Sequence, residues 1–227
     1  VSGMRNVLPV LAAVAATAVL AARPGPAQTP DLYDLTQVRS LYLTFKQVDY
    51  WQQLRANYVT QTDIKADLTV DGRTYPDIGV RFKGHSSYRG NVDKEPFNLS
   101  IDAFNETQRL YGYKTLNLNN AFLDPTFVRE VVSYELYRRY LPAPRANFVK
   151  LYINNVYWGV YVNVQQPNTE FLEEAFGEDD GNHYKAESSA VGPPRSALQW
   201  LGSTPSLYAS YYELKSGDEQ TAWTELA

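Results

Sequence analysis

The run Gly79-Val80-Arg81-Phe82-Lys83-Gly84-His85-Ser86-Ser87-Tyr88-Arg89 sets cations on an alternating stretch and follows them with a serine-bearing bend. Val80 and Phe82 alternate with Arg81 and Lys83, the period-2 pattern of a half-buried strand, and the pattern breaks at Gly84. A cation at a strand end beside such a bend is one way to hold a phosphate. Lysine supplies the charge, while hydroxyls and free backbone N–H groups supply donors. The same residues equally fit a basic edge strand that ends in an ordinary turn.

Other chemistries find less support. His85 and His183 are too few and too far apart in sequence to suggest a zinc site. The chain of 227 residues has no cysteine, so neither thiolate ligands nor disulfides are available, and the core must hold the fold together. A net charge of -4 gives no general pull toward nucleic acid or anionic lipid. No spacing of Asp and Glu singles out the carboxylate pair that a glycoside hydrolase needs.

The elements that must position the bend read as follows. Strands are predicted at Ser40 to Phe45, Ile64 to Val70, Tyr75 to Lys83, Pro96 to Ile101 and Lys114 to Leu118. Asp71-Gly72 marks a hairpin between the second and third of these. Asp49 to Tyr58 reads as a helix. Asp124-Pro125 opens another, with Asp as N-cap, Pro at the first helical position and an apolar side of Phe127, Val131, Tyr134 and Leu136. Phe148 to Gln166 is a hairpin turning at Asn154-Asn155, residues that tolerate the positive φ of a tight turn. Glu170 to Phe176 forms a short helix, Asn182 to Ala186 a brief strand, and Gly192 to Pro205 a Pro/Ser-rich loop. The expected fold class is α+β, a mostly antiparallel sheet with packed helices.

Both ends stand apart. Met4-Arg5, the apolar Val7 to Ala22 and the turn formers from Arg23 to Gln28 have the layout of a secretory signal cleaved after Ala27. The apolar run falls short of the roughly 20 residues a membrane span needs, and a short uncleaved anchor is the alternative. The expected organisation is therefore a signal peptide over 1–27, a linker over 28–36 and one domain over 37–227. Ser216-Gly217-Asp218-Glu219 opens a helix at the very end of the chain, which leads us to expect an incomplete domain.

Four segments in order carry a resemblance. They are Gly79 to Ser87; Leu116-Asn117-Leu118-Asn119-Asn120 with Asp124 to Glu130; Leu151 to Tyr161; and Asn182-His183-Tyr184-Lys185. From about Tyr33 to Lys185 the chain resembles the spore-coat protein H (CotH) kinase family. The resemblance implies the N-terminal part of an atypical, secretory-type protein kinase fold, truncated at its C-terminus. It also implies transfer of the ATP γ-phosphoryl to Ser or Thr of an exported or surface protein, with Mg or Mn. On that resemblance Lys83 is the phosphate-contacting lysine, Glu130 pairs with it from the following helix with Glu135 as its rival, and Ser86 and Ser87 lie on the loop over the phosphates. Arg81 and Lys94 add charge near the nucleotide or serve the surface. Asn119 and Asn120 fit turn residues equally well, and Lys185 has no assigned role.

Two departures from the family pattern matter. Gln165-Gln166 stands where the family shows a glutamate. After Lys185 nothing matches the Asn/Asp-rich stretch and Trp-Asp motif that carry the family's catalytic and metal-binding aspartates, so no catalytic or metal residue is assigned and turnover by this chain is not expected. The expected partners are an exported or surface protein substrate, with no nucleic acid and no membrane span apart from the signal segment. The alternative is a non-catalytic surface or coat protein binding through aromatic residues such as Trp200, Tyr208, Tyr211 and Tyr212; these fit a core equally well.

Overall fold

The computed structural model describes residues 31–186 and 199–227. The segment read as a signal peptide and residues 192–198 of the Pro/Ser-rich loop lie outside the described residues. Alternating apolar residues produce seven strands: β1 (Arg39–Thr44), β2 (Ile64–Val70), β3 (Arg73–Phe82), β4 (Phe97–Ser100), β5 (Thr115–Asn119), β6 (Ala146–Ile153) and β7 (Val156–Gln165). They close into a barrel in the order β1-β2-β3-β4-β5-β7-β6.

This closure corrects the α+β expectation. The described residues form a mostly-sheet, seven-stranded closed barrel with few helices, not a kinase-like α+β sheet with packed helices. Neighbouring strands pair antiparallel except β1 and β6, which run parallel with Leu41 opposite Leu151 and Leu43 opposite Ile153. Period-2 patterning predicts each strand but says nothing of that long-range register, which removes both sheet edges at once. Asn154 of the β6–β7 turn secures the seam. Its N–H donates to the Leu43 carbonyl and its Oδ1 accepts from the Phe45 N–H, each at 2.8 Å. Asn154 and Asn155 have φ of 47° and 67°, the positive values that the turn requires.

The barrel interior is aliphatic and aromatic. Leu41, Leu68, Val80, Phe82, Leu99 and Leu151 are wholly buried, and burying each such side chain contributes about 1.5–3 kcal/mol. Leu32 and Tyr33, in the stretch read as linker, join this core, and Tyr33 meets Tyr113 edge-on at 5.1 Å.

The helices among the described residues are short: α1 (Tyr50–Ala56), α2 (Arg129–Tyr137), α3 (Thr169–Phe176), α4 (Pro205–Tyr208) and α5 (Glu219–Leu226). Helix α2 begins at Arg129 rather than at Asp124-Pro125. Phe127 takes a left-handed φ of 64°, which no helix accommodates, and Asp124 instead accepts from the Thr126 N–H at 3.0 Å and the Arg129 N–H at 2.9 Å. Val131 and Tyr134 of α2 pack on the outer side of the barrel against Phe148, Val162 and Val164.

Beyond the barrel, β8 (His183–Ala186) and β9 (Tyr212–Ser216) pair as a two-stranded sheet. The C-terminal helix packs there: Ala222 of α5 is buried, and Trp223 lies 5.6 Å from the Tyr184 ring. Of the aromatic cluster singled out from sequence, Tyr208 and Tyr212 are buried and Trp200 is exposed.

Candidate functional site

Strand β3 faces two ways. Val80 and Phe82 point into the core, so Arg81 and Lys83 must take the outer face. Lys83 follows the last strand residue directly and its N–H still pairs across to the Pro96 carbonyl at 3.0 Å, which fixes its backbone. Its side chain reaches a cleft of about 590 Å³ lined by Lys83, Ser87, Asn119, Asp124, Arg129 and Glu130 among others.

Glycine opens the loop that follows. Gly84 has a φ of +85°, and a Cβ there would sit 2.3 Å from the Ser87 hydroxyl, so only glycine lets Ser87 fold back toward the cleft. Three side chains hold the loop in place. Tyr58 Oη donates to the Gly84 carbonyl at 2.7 Å, and Asn120 Nδ2 donates to the carbonyls of Ser87 at 3.2 Å and Lys94 at 2.9 Å. The wholly buried Glu95 accepts from the N–H groups of Arg89 at 3.0 Å and Gly90 at 2.6 Å.

Of the residues predicted from sequence, the fold brings Lys83, Ser87 and Glu130 to one cleft. Ser86 is exposed and is not among the lining residues. Arg81 also lies away from it, pairing with Asp63 at 2.8 Å and donating to Ser100 Oγ at 3.1 Å. Glu130 lies in the first turn of α2 and lines the cleft, whereas its rival Glu135 does not. The Lys94 ammonium sits over the Phe127 ring at 4.1 Å, a cation–π contact outside the cleft lining. Lys185 makes an exposed pair with Glu213 at 3.2 Å. Gln165 is buried and accepts from the Arg145 N–H at 3.0 Å and donates to Glu174 at 2.8 Å.

Sequence reading names the central residue, within the second resembling segment, but gives it no role. Asn119 reads as a turn former, yet it ends β5, and β5 pairs with β4, the strand beside β3. Lys83 Nζ donates to Asn119 Oδ1 at 3.1 Å, and Asn119 Nδ2 donates to Glu130 Oε1 at 2.6 Å. Burial lowers the Lys83 pKa to about 8; Glu130 works against the shift and Arg81 adds to it. Burial also raises the Glu130 carboxyl above its ordinary value, opposed by the Asn119 hydrogen bond and by Lys83. A half-buried ammonium with one neutral hydrogen-bond partner has donors to spare for an anion.

The geometry defines a barrel protein with a cation-centred cleft beside a glycine- and serine-bearing loop. The family model described as CotH kinase protein matches residues 80–226, and the chain belongs to that family. The match runs past Lys185 through β8, β9 and α5. The search of curated proteins found no match.

Proposed function

We propose that the cleft holds the phosphate groups of ATP, as part of an exported CotH-type kinase that acts on Ser or Thr of a protein. Lys83 is the phosphate-contacting cation, Ser87 a donor from the loop, and Glu130 the carboxylate that keeps the ammonium charged and in place. The observation that carries this reading is the Lys83 ammonium, half-buried at a cleft with a single hydrogen bond to a neutral oxygen. The residue types suit a phosphate chain: Lys83, Ser87 and Arg129 line one space. It does not suit a divalent ion. Among the described residues no group of three or more His, Cys, Asp and Glu could hold a metal, and the two acidic side chains of the cleft are already engaged, Glu130 by Asn119 and Asp124 by Thr126 and Arg129. The reading therefore assigns residues to the phosphates and none to Mg or Mn, and its claim for this chain is nucleotide binding.

Export rests on the apolar segment from Val7 to Ala22; no helix among the described residues is long and apolar enough to cross a membrane. A second reading, a surface-binding scaffold without turnover, is favoured by one feature of the barrel's outer side. Tyr42 stacks on Tyr152 at 4.6 Å, and Tyr157 lies 5.3 Å beyond at 53% exposure. ATP titration of the full chain separates the two. Binding that weakens in Lys83→Ala supports the nucleotide reading, and no binding by the wild type leaves the scaffold.

A further inference from the structure

Lys83 and Glu130 are not in contact as an ion pair. The Asn119 amide stands between them, accepting from the ammonium and donating to the carboxylate. Chemistry dictates its orientation. An ammonium only donates and a carboxylate only accepts, so a reversed amide would lose both bonds and set N–H against N–H. The backbone on either side is also fixed. Asn119 lies opposite Val162 in the β5–β7 ladder, and the next residue, Asn120, is tied to the Ser87 and Lys94 carbonyls.

We propose that Asn119 is a positioning residue of the nucleotide cleft: its amide holds the Lys83 ammonium off the Glu130 carboxylate and couples the two charges through a neutral bridge. The ligand in this inference rests on the nucleotide reading; the bridge itself does not. A direct pair would aim the ammonium at Glu130. The bridge engages one of its three protons on a neutral oxygen and leaves the others for phosphate oxygens. Besides Glu130, three charged groups act on the bridge or its cleft: Arg81 of β3 acts on Lys83, Asp124 acts on Glu130, and Arg129 lines the cleft wall.

Two substitutions pull the cation in opposite directions. Asn119→Asp replaces the neutral oxygen with a carboxylate, which favours the charged lysine. Asn119→Leu keeps the volume between the two charges, so that the ammonium cannot close on Glu130, but removes the acceptor and favours the neutral amine. A merely structural role for Asn119 would not reverse sign between them.

The test is the pH profile of Lys83 acylation by acetic anhydride, followed by mass spectrometry on the full chain without nucleotide. The wild-type midpoint is expected near 8. Asn119→Asp should raise it by about one unit or more, roughly a tenfold loss of reactive amine at a fixed pH below the midpoint, and Asn119→Leu should lower it. If Asn119→Asp does not fold, the wild type and Asn119→Leu carry the test alone, and the Leu midpoint should lie below that of the wild type. Identical midpoints in the wild type and the Leu variant, or shifts of the same sign in the Asp and Leu variants, overturn the bridge. Failure of the wild type to bind ATP would reject the nucleotide reading instead, without altering this order of midpoints.

Discussion

Phe82 and Lys83 are neighbours in the chain and opposites in environment. Phe82 is wholly buried in the barrel, edge-on to Trp51 at 4.9 Å and close to Phe97 at 5.2 Å. Lys83 lies outside the strands, with an amide and a carboxylate for company. The same alternation holds across the next two strands: Leu99 and Leu118 go inward, while Asn98 and Asn117 pair with each other through their amides at 3.1 Å on the outer side. One set of strands thus carries stability on one face and polar chemistry on the other. Interior positions should answer to packing alone, and outer positions to charge.

The largest effect expected from this division is at Phe82. Phe82→Ala leaves a cavity in the closed core and should cost about 3–5 kcal/mol, read as a lower denaturation midpoint with an unchanged slope. A loss below about 1 kcal/mol would break the comparison, because it would mean that the interior is not packed as a core.

Outer positions should show pH dependence instead. Lys83 carries its charge below its lowered pKa of about 8 and loses it above. ATP affinity should therefore hold from pH 6 to 7 and fall by roughly tenfold for each unit above the midpoint. The sign for stability is the reverse. Between about 8 and the ordinary 10.5 the unfolded chain holds a proton that the folded chain does not, so this group makes folding more favourable as pH rises through that window. Affinity that stays constant from pH 7 to 9.5 would show that the ammonium is not the phosphate contact.

The smallest effect is expected at Arg81, two residues from Lys83 on the same outer face. Its pair with Asp63 is partly exposed, and Arg81→Ala should cost about 1 kcal/mol or less in stability. It should leave ATP affinity within about twofold, because the side chain is engaged away from the cleft. A tenfold loss of affinity would extend the cleft to that side chain and sharpen the map of the outer face.

Much of the barrel was legible residue by residue, and its closure was not. The strand runs, the Asp71-Gly72 turn and the Asn154-Asn155 turn follow from alternation and turn chemistry, which are local. The parallel seam between β1 and β6 depends on pairing Leu41 with Leu151, and no local pattern encodes it. The start of α2 misled because Asp124-Pro125 has the composition of a helix start, yet the left-handed Phe127 turns the chain first. In the site, Lys83 stood out because a cation ended an alternating run. Asn119 did not, because an asparagine at a strand end resembles any turn former until β4 and β5 place it next to the ammonium.

The most direct test of the central claim is equilibrium titration of ATP into the full chain and into Lys83→Ala. A charge-assisted phosphate contact is commonly worth about 1.5–3 kcal/mol, so the variant should bind roughly tenfold to a hundredfold more weakly, with its melting behaviour preserved. Equal affinity in the two proteins would contradict the account and return Lys83 to the role of a strand lysine beside a turn.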